Sequence, residues 1–430
     1  MSSKIQEVNP INNEKPTKSR IFLAGILFLT LLVAYLDRVN LSVIVADKSF
    51  LTQMGITGKP VLIGLLSSVF LFAYGISNVI LGPFGDFIGP KKAMLIAISF
   101  WILAMTMGGL VSTFSLMIAA RILLGAGEGL HWPMQSLYVK NWFPIRERGK
   151  ANSAWLLGLF VGPAIAMPIF VQLTTNWGWR STFTTLALVG LIPLLLIAVL
   201  TKDRPSVSKL TNQQEIDYIK NGSDLSTSSS AEAETEGTLK NLFLKDYRFW
   251  FLTIAYLGSS SIWWGTMAWL PSYLKIIRNF SFAQLGSLAS LPYILGAITV
   301  IVCGYWSDRT GKRTVFGAVG LTLASLFILF GAKAQDNYIS AYLLSCGIGS
   351  IGIGIHSFWS ALQNITPPRQ LGAASGILNG VAQFGSAFIP TVIGFFIQLS
   401  GGSYNGGLFF LVGLGLMGAA LMAVLAVKKI

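Results

Sequence analysis

The chain is 430 residues long, 53% apolar and 11% charged, with a mean hydropathy of +0.65. Soluble domains carry about 25% Asp, Glu, Lys and Arg, so this composition excludes a soluble globular fold, a disordered chain and a disulfide scaffold. The formal net charge of +14 takes its meaning from where it sits. Cys303 and Cys346 both lie inside apolar runs and read as free buried thiols.

A membrane helix needs about 20 mostly apolar residues, and twelve such runs follow one another. The first six are Ile21–Ala46, Val61–Phe84, Ala93–Val111, Phe114–Val139, Ala151–Leu173 and Thr182–Thr201. The second six are Phe249–Leu274, Phe282–Tyr305, Val315–Ala332, Tyr338–Leu362, Leu371–Leu399 and Gly406–Val427. The first run is too long for a signal-peptide core and is expected to stay as a span. With the N-terminus inside, inner segments hold 23 Lys and Arg and outer loops hold six, with Arg38 and Arg121 left within spans. That asymmetry predicts both termini in the cytoplasm. The positive charge is then a topology signal that meets anionic lipid heads, and no nucleic-acid partner is needed.

Residues 202–248 break the spacing with seven basic and eight acidic residues and the run Ser226–Ser230. They read as a cytoplasmic linker, helical over Asn212–Lys220 and disordered over Asn221–Gly237. The expected organisation is a tail over 1–20, a six-helix bundle over 21–201, the linker over 202–248, a second six-helix bundle over 249–427 and a tail over 428–430.

The two bundles repeat one unit. Gly82-Pro-Phe-Gly-Asp86-Phe-Ile-Gly89-Pro-Lys91-Lys92 joins spans two and three, and Gly304-Tyr-Trp-Ser-Asp308-Arg-Thr-Gly311-Lys312-Arg313 joins spans eight and nine, 222 residues later. Glycine permits a tight inner turn, the aspartate can cap a helix or pair with a base, and the basic pair is expected at the lipid-head surface. Gly127-Glu128-Gly129-Leu130-His131 in span four also resembles Gly352-Ile353-Gly354-Ile355-His356 in span ten, at an offset of 225. Glycine packing plus coincidence explains this second echo equally well.

The six-plus-six arrangement and the doubled G-x-x-x-D-x-x-G-x-[RK]-[RK] loop resemble the major facilitator superfamily over essentially the whole chain. The resemblance implies an all-α membrane fold of twelve helices in two bundles, a central substrate site and alternating access.

Four charged side chains lie well inside spans: Asp37 and Arg38 in span one, Arg121 and Glu128 in span four. Each costs about 2.5–3.5 kcal/mol at a span centre, so such residues are expected to mark function, the alternative being a buried ion network that only fixes how the two helices pack. Helix rise places Asp37, Arg38 and Arg121 at one level in the outer third, with Glu128 roughly 10 Å deeper than Arg121. The arginines are expected to hold an anion and the acids to carry protons. Pro133 should free the carbonyl of Gly129.

A narrower resemblance rests on these residues. Asp37-Arg38-Val39-Asn40-Leu41-Ser42, Arg121-x-x-x-Gly125-x-Gly127-Glu128 with Pro133, Trp142-Phe143-Pro144-x-x-Glu147-Arg148 and Trp269-Leu-Pro271-Ser-Tyr273-Leu resemble the anion:cation symporter family, which includes sugar-acid and vesicular glutamate and sialic-acid transporters. The likeness implies that Arg38, Tyr74, Trp359 and Asn379 line the substrate site and that Asp37, Arg121 and Glu128 couple it to protons. His131 and Trp132 add aromatic character to span four, and Gln363 and Gln383 are further polar candidates. Sugar-acid members carry glutamine in span five where this chain has Leu159, and Trp263, Trp264 and Trp269 crowd span seven. A flat or short-chain carboxylate is therefore expected to outcompete hexonates.

The expected activity is proton-coupled uptake of a small organic anion at the inner cell membrane by a monomeric, multi-pass carrier. No cofactor is expected beyond the proton gradient, with Na⁺ left open. Gly158-x-x-x-Gly162-Pro163 resembles part of a drug-exporter motif, so proton-coupled export is the alternative. No metal-ligand spacing, phosphate loop or nucleophile arrangement points to an enzyme.

Overall fold

A computed structural model describes residues 15–82, 84–224, 242–310, 312–366 and 371–428. The side chains of Asp86 and Asp308 and all of Gly311 lie outside the described residues, and so does the expected disorder over 225–237. All regular structure among the described residues is helical.

The long helices follow the apolar runs. In the first half they are α1 (Ser19–Ile44), α2 (Pro60–Leu81), α3 (Pro90–Leu110), α4 (Phe114–Trp142), α5 (Gly158–Trp177) and α6 (Trp179–Leu200). In the second they are α7 (Tyr247–Ser272), α8 (Phe282–Thr310), α9 (Arg313–Lys333), α10 (Asn337–Ile365), α11 (Leu371–Ala387, continued by Ile389–Leu399) and α12 (Asn405–Val427). A separate helix, Ile145–Leu156, runs into α5, and the break in α11 places Pro390 in the first turn of its second segment. Among the described residues, ten helices are long and apolar enough to cross a membrane. Helices α4 and α7 are long but fall outside that set. One carries Arg121, Glu128, His131 and Gln135, and the other the run Ser259–Ser261.

The internal repeat is visible atom by atom. Ser77 on α2 donates to the carbonyl of Ala126 on α4 at 2.6 Å, and Thr299 on α8 donates to the carbonyl of Gly349 on α10 at 2.7 Å. A Cβ at Gly129 would meet the Tyr74 carbonyl, Ser77 and Asn78, while one at Gly352 would meet the Gly296 carbonyl, Thr299 and Val300. The equivalence is thus 222 residues between α2 and α8, and 223 between α4 and α10. It shifts the sequence echo by two residues. Glu128 is equivalent to Ile351, and His131 is equivalent to Gly354 rather than to His356. The loops agree: a Cβ at Gly82 would meet Pro133, and one at Gly304 would meet His356.

The halves touch at the end of the bundle away from both termini. Thr391 donates to Ser68 at 2.8 Å, and Phe72 packs on Phe384 and Phe388. Cβ atoms at Gly64 and Gly394 would strike the carbonyls of Pro390 and Pro60. On α8, one at Gly286 would lie 2.9 Å from Pro168 on α5.

At the termini end, Gly89 takes a positive φ of 85°, and the amide of Lys91 is capped by Asp203 at 2.7 Å. The Lys91 ammonium bonds the carbonyls of Ala198 and Thr201 at 2.6 and 2.9 Å. Lys91 therefore satisfies the C-terminal end of α6 instead of resting on the lipid surface, while Lys92 and Lys312 are exposed. The linker helix spans Gln213–Asp224, so residues 221–224 are helical and not disordered as expected. Its Glu215, 0% exposed, accepts from Thr17 Oγ1, the amides of Ser19 and Arg20, and Arg20 Nη1. Arg20 also bridges to Glu147 at 2.8 Å, and Tyr218 donates to Glu147 at 2.7 Å. Cys303 and Cys346 are free, but half-buried rather than enclosed.

Candidate functional site

Arg38 and Glu128 form the site's centre. Arg38 lies nearly two turns beyond the middle of α1 and Glu128 on the α4 face that meets it. Arg38 Nε donates directly to Glu128 Oε2, with the two side chains 3% and 0% exposed. The bond uses one arm of each group. Arg38 Nη2 and Glu128 Oε1 are both buried and, among the described residues, without a hydrogen-bond partner. The contact is compatible with a deeper position of Glu128, because the reach of the arginine side chain closes the step that helix rise leaves.

Aromatic rings enclose the guanidinium. Its Cζ lies 4.4 Å from the ring centre of Tyr35, 5.0 Å from Tyr74, 5.7 Å from Phe70 and 5.6 Å from Trp264. Such rings stabilise a cation through their quadrupoles and exclude water. Trp264 is fixed in turn by Gln383, which accepts from its indole nitrogen at 2.9 Å.

The other two charges are not paired with each other. Arg121 donates to the carbonyl of Leu66 at 3.3 Å and sits 4.8 Å from the Phe70 ring. Asp37 is wholly buried, and both carboxyl oxygens lack a hydrogen-bond partner among the described residues. Asp37 is nonetheless within electrostatic reach of Glu128, Arg121 and Arg38. The four therefore share one low-dielectric region around a single direct ion pair.

The family model for the Major Facilitator Superfamily matches residues 27–390. The chain belongs to the Major Facilitator Superfamily. It is 30% identical over 424 residues to a probable sulfoacetate transporter of Cupriavidus necator, covering 96% of this chain and 95% of that protein. It is 26% identical to a probable L-galactonate transporter of Escherichia coli, covering 87% and 82%. A probable galactarate/D-glucarate transporter of Bacillus subtilis is 27% identical, covering 97% and 93%. Among solved structures, a bacterial homolog of the lysosomal transporter Spinster superposes with a TM-score of 0.76 at 14% identity, covering 96% and 97%. Family and relatives are transporters, and the chain is a multi-span membrane transporter, not an enzyme.

Within that superfamily fold the remaining predicted residues separate into two groups. Tyr74 touches Arg38. Trp359 on α10 is half-buried and 5.6 Å from Tyr256 on α7, while Asn379 on α11 is half-buried and Gln363 exposed. His131 is instead enclosed in the first bundle, its ring 5.3 Å from Trp101 on α3 and its Nε2 3.1 Å from Gln135. Gln135 bonds Leu27 and Thr30 on α1. Trp132 packs on Trp155 at 5.1 Å. Trp263, Trp264 and Trp269 are all buried, so the aromatic crowd of span seven faces protein. Trp269 donates to the carbonyl of Pro390 at 2.9 Å and holds the break in α11.

Two sequence features resolve into packing. The Gly129 carbonyl freed by Pro133 accepts from Asn78 at 3.3 Å. Cβ atoms at Gly158 and Gly162 would lie 2.9 Å from the Leu32 backbone of α1, so close helix approach accounts for the glycines of the exporter-like motif. Tyr35 and Phe70 escaped sequence reading, although Tyr35 lies three residues before Arg38 on the same helix face.

Proposed function

We propose that this protein couples inward proton flow to the uptake of a small organic acid anion across the inner cell membrane. In this reading twelve helices span the bilayer, both termini lie in the cytoplasm, and the bundles over 21–201 and 249–427 rock about the Arg38 region. The contacts between Ser68, Thr391 and Pro390 then close the outer face, leaving the site directed inward. The relatives' cargo, sulfoacetate and sugar acids, supports the substrate class.

The half-used ion pair carries the reading. A carboxylate or sulfonate can take the free Nη2 of Arg38, since a guanidinium offers parallel donors that suit an oxyanion. Binding there draws positive charge from Glu128, whose buried carboxylate then favours a proton. Protonation in turn removes the competitor for Arg38, so anion and proton stabilise one another's binding. Asp37 and Arg121 form the remainder of the coupling network, and coupling by Na⁺ would use the same acids.

The test uses proteoliposomes given sulfoacetate or galactonate with and without a pH gradient. Arg38→Ala should remove binding of the transported anion, and Arg38→Lys should weaken it by roughly 10-fold or more, since lysine lacks the fork. Equal affinity in wild type and Arg38→Ala would refute the assignment.

A further inference from the structure

Three of the four rings around Arg38 come from its own half, and Trp264 comes from α7. The 5.6 Å approach of Trp264 to Arg38 therefore crosses the boundary between the bundles at the level of the ion pair. Both residues are sealed, 7% and 6% exposed. The single N–H of the indole is occupied by Gln383, so the ring turns only carbon toward the guanidinium region. Beside it the aromatic wall continues, with Trp263 5.5 Å from Phe160 of α5 and 5.6 Å from Tyr293 of α8.

This geometry divides the guanidinium in two. A ring covers a guanidinium by its face, while an oxyanion binds in the plane at the N–H edge. Trp264 and an anion on Nη2 do not compete for the same donor. The indole instead forms the surface against which the body of the anion must lie. A planar or short body stacks there. A hydroxyl pressed against it leaves water and finds no partner, because the donor of the ring is already used.

We propose that Trp264, held by Gln383, is the specificity-determining ceiling of the anion site, selecting flat or short acid anions against polyhydroxylated ones. The proposal rests on Arg38 as the anchor of the anion, and the test separates the two. Thermal-shift titrations of the purified full chain would use benzoate, succinate and gluconate as probes. Wild type should bind benzoate or succinate about 10-fold or more tightly than gluconate, as expected when buried hydroxyls go unpaired. Trp264→Leu should cut that ratio by about 10-fold while keeping all three within reach of Arg38, and Trp264→Phe, which preserves a stacking face, should retain most of it. Gln383→Leu, which releases the indole, should fall between them. An unchanged ratio in monodisperse Trp264→Leu, with Arg38→Ala losing all three probes, overturns the ceiling and leaves the anchor standing. Probe binding that survives Arg38→Ala overturns the anchor itself. A wild type that prefers gluconate overturns the ceiling directly.

Discussion

The two bundles share a scaffold and differ in charge. Helix pairs α2/α4 and α8/α10 repeat the same hydroxyl-to-carbonyl bond and the same glycine approach. Yet Glu128 on α4 stands where α10 has Ile351, and Arg121 stands where it has Leu344. Both copies keep the contacts that hold helices together, and the four charges well inside spans lie in the first copy. The second copy contributes surface: Trp264, held by Gln383, stands 5.6 Å from Arg38. In the proposed mechanism ion coupling belongs to one half, which works against a partner with no charge at the equivalent positions.

Breaking this asymmetry gives the largest effect. Glu128→Gln should abolish accumulation driven by a pH gradient while sparing exchange of anion across the membrane, which counterflow assays read. Adding Ile351→Glu should not restore accumulation, because α7, the counterpart of α1, carries no arginine in the place of Arg38 and a bare acid there costs about 2.5–3.5 kcal/mol. Recovery in the double variant would show the halves to be interchangeable.

A smaller effect sharpens the scaffold comparison. Asn78 serves the Gly129 carbonyl because Pro133 cannot. In the second half the equivalent pair is Val300 and His356, and His356 keeps its own amide hydrogen. Asn78→Val should therefore destabilise by about 1–3 kcal/mol, and Val300→Asn should bring no gain; thermal unfolding in detergent measures both. Smallest are Ser77→Ala and Thr299→Val. Each removes one equivalent bond, and each should cost about 1 kcal/mol by the same assay. A marked inequality between them would mean that the repeat is geometric but not energetic.

Much of this was legible in the sequence, for identifiable reasons. Apolar runs mark helices because the bilayer leaves no other way to satisfy a backbone, and the observed ends differ by only a few residues in most cases. Helices α4 and α7 are where bare apolarity is weakest, since one carries Arg121, Glu128, His131 and Gln135 and the other the run Ser259–Ser261. Arg38 and Glu128 stood out as charges in apolar surroundings, whereas their direct bond needed the lateral geometry of two helices. The histidine echo misled by two residues because a Gly-x-Gly match outweighed the register, which backbone contacts set. Glu215 and Asp203 gave no signal at all. An acid in a polar segment reads as solvated, and only the tertiary fold buries it.

The clamp around Glu215 changes where this molecule divides. By covalent order the linker belongs to neither half. Mechanically, Gln213–Asp224 is cargo of the first, gripped through Thr17, Ser19 and Arg20 at the foot of the helix that carries Arg38. A gene split after codon 224 should yield two fragments that reassemble when co-expressed, whereas a split before codon 213 strips α1 of its cap and leaves the half-buried Arg20 short of one carboxylate. The seam of the protein lies downstream of the point where its first bundle ends.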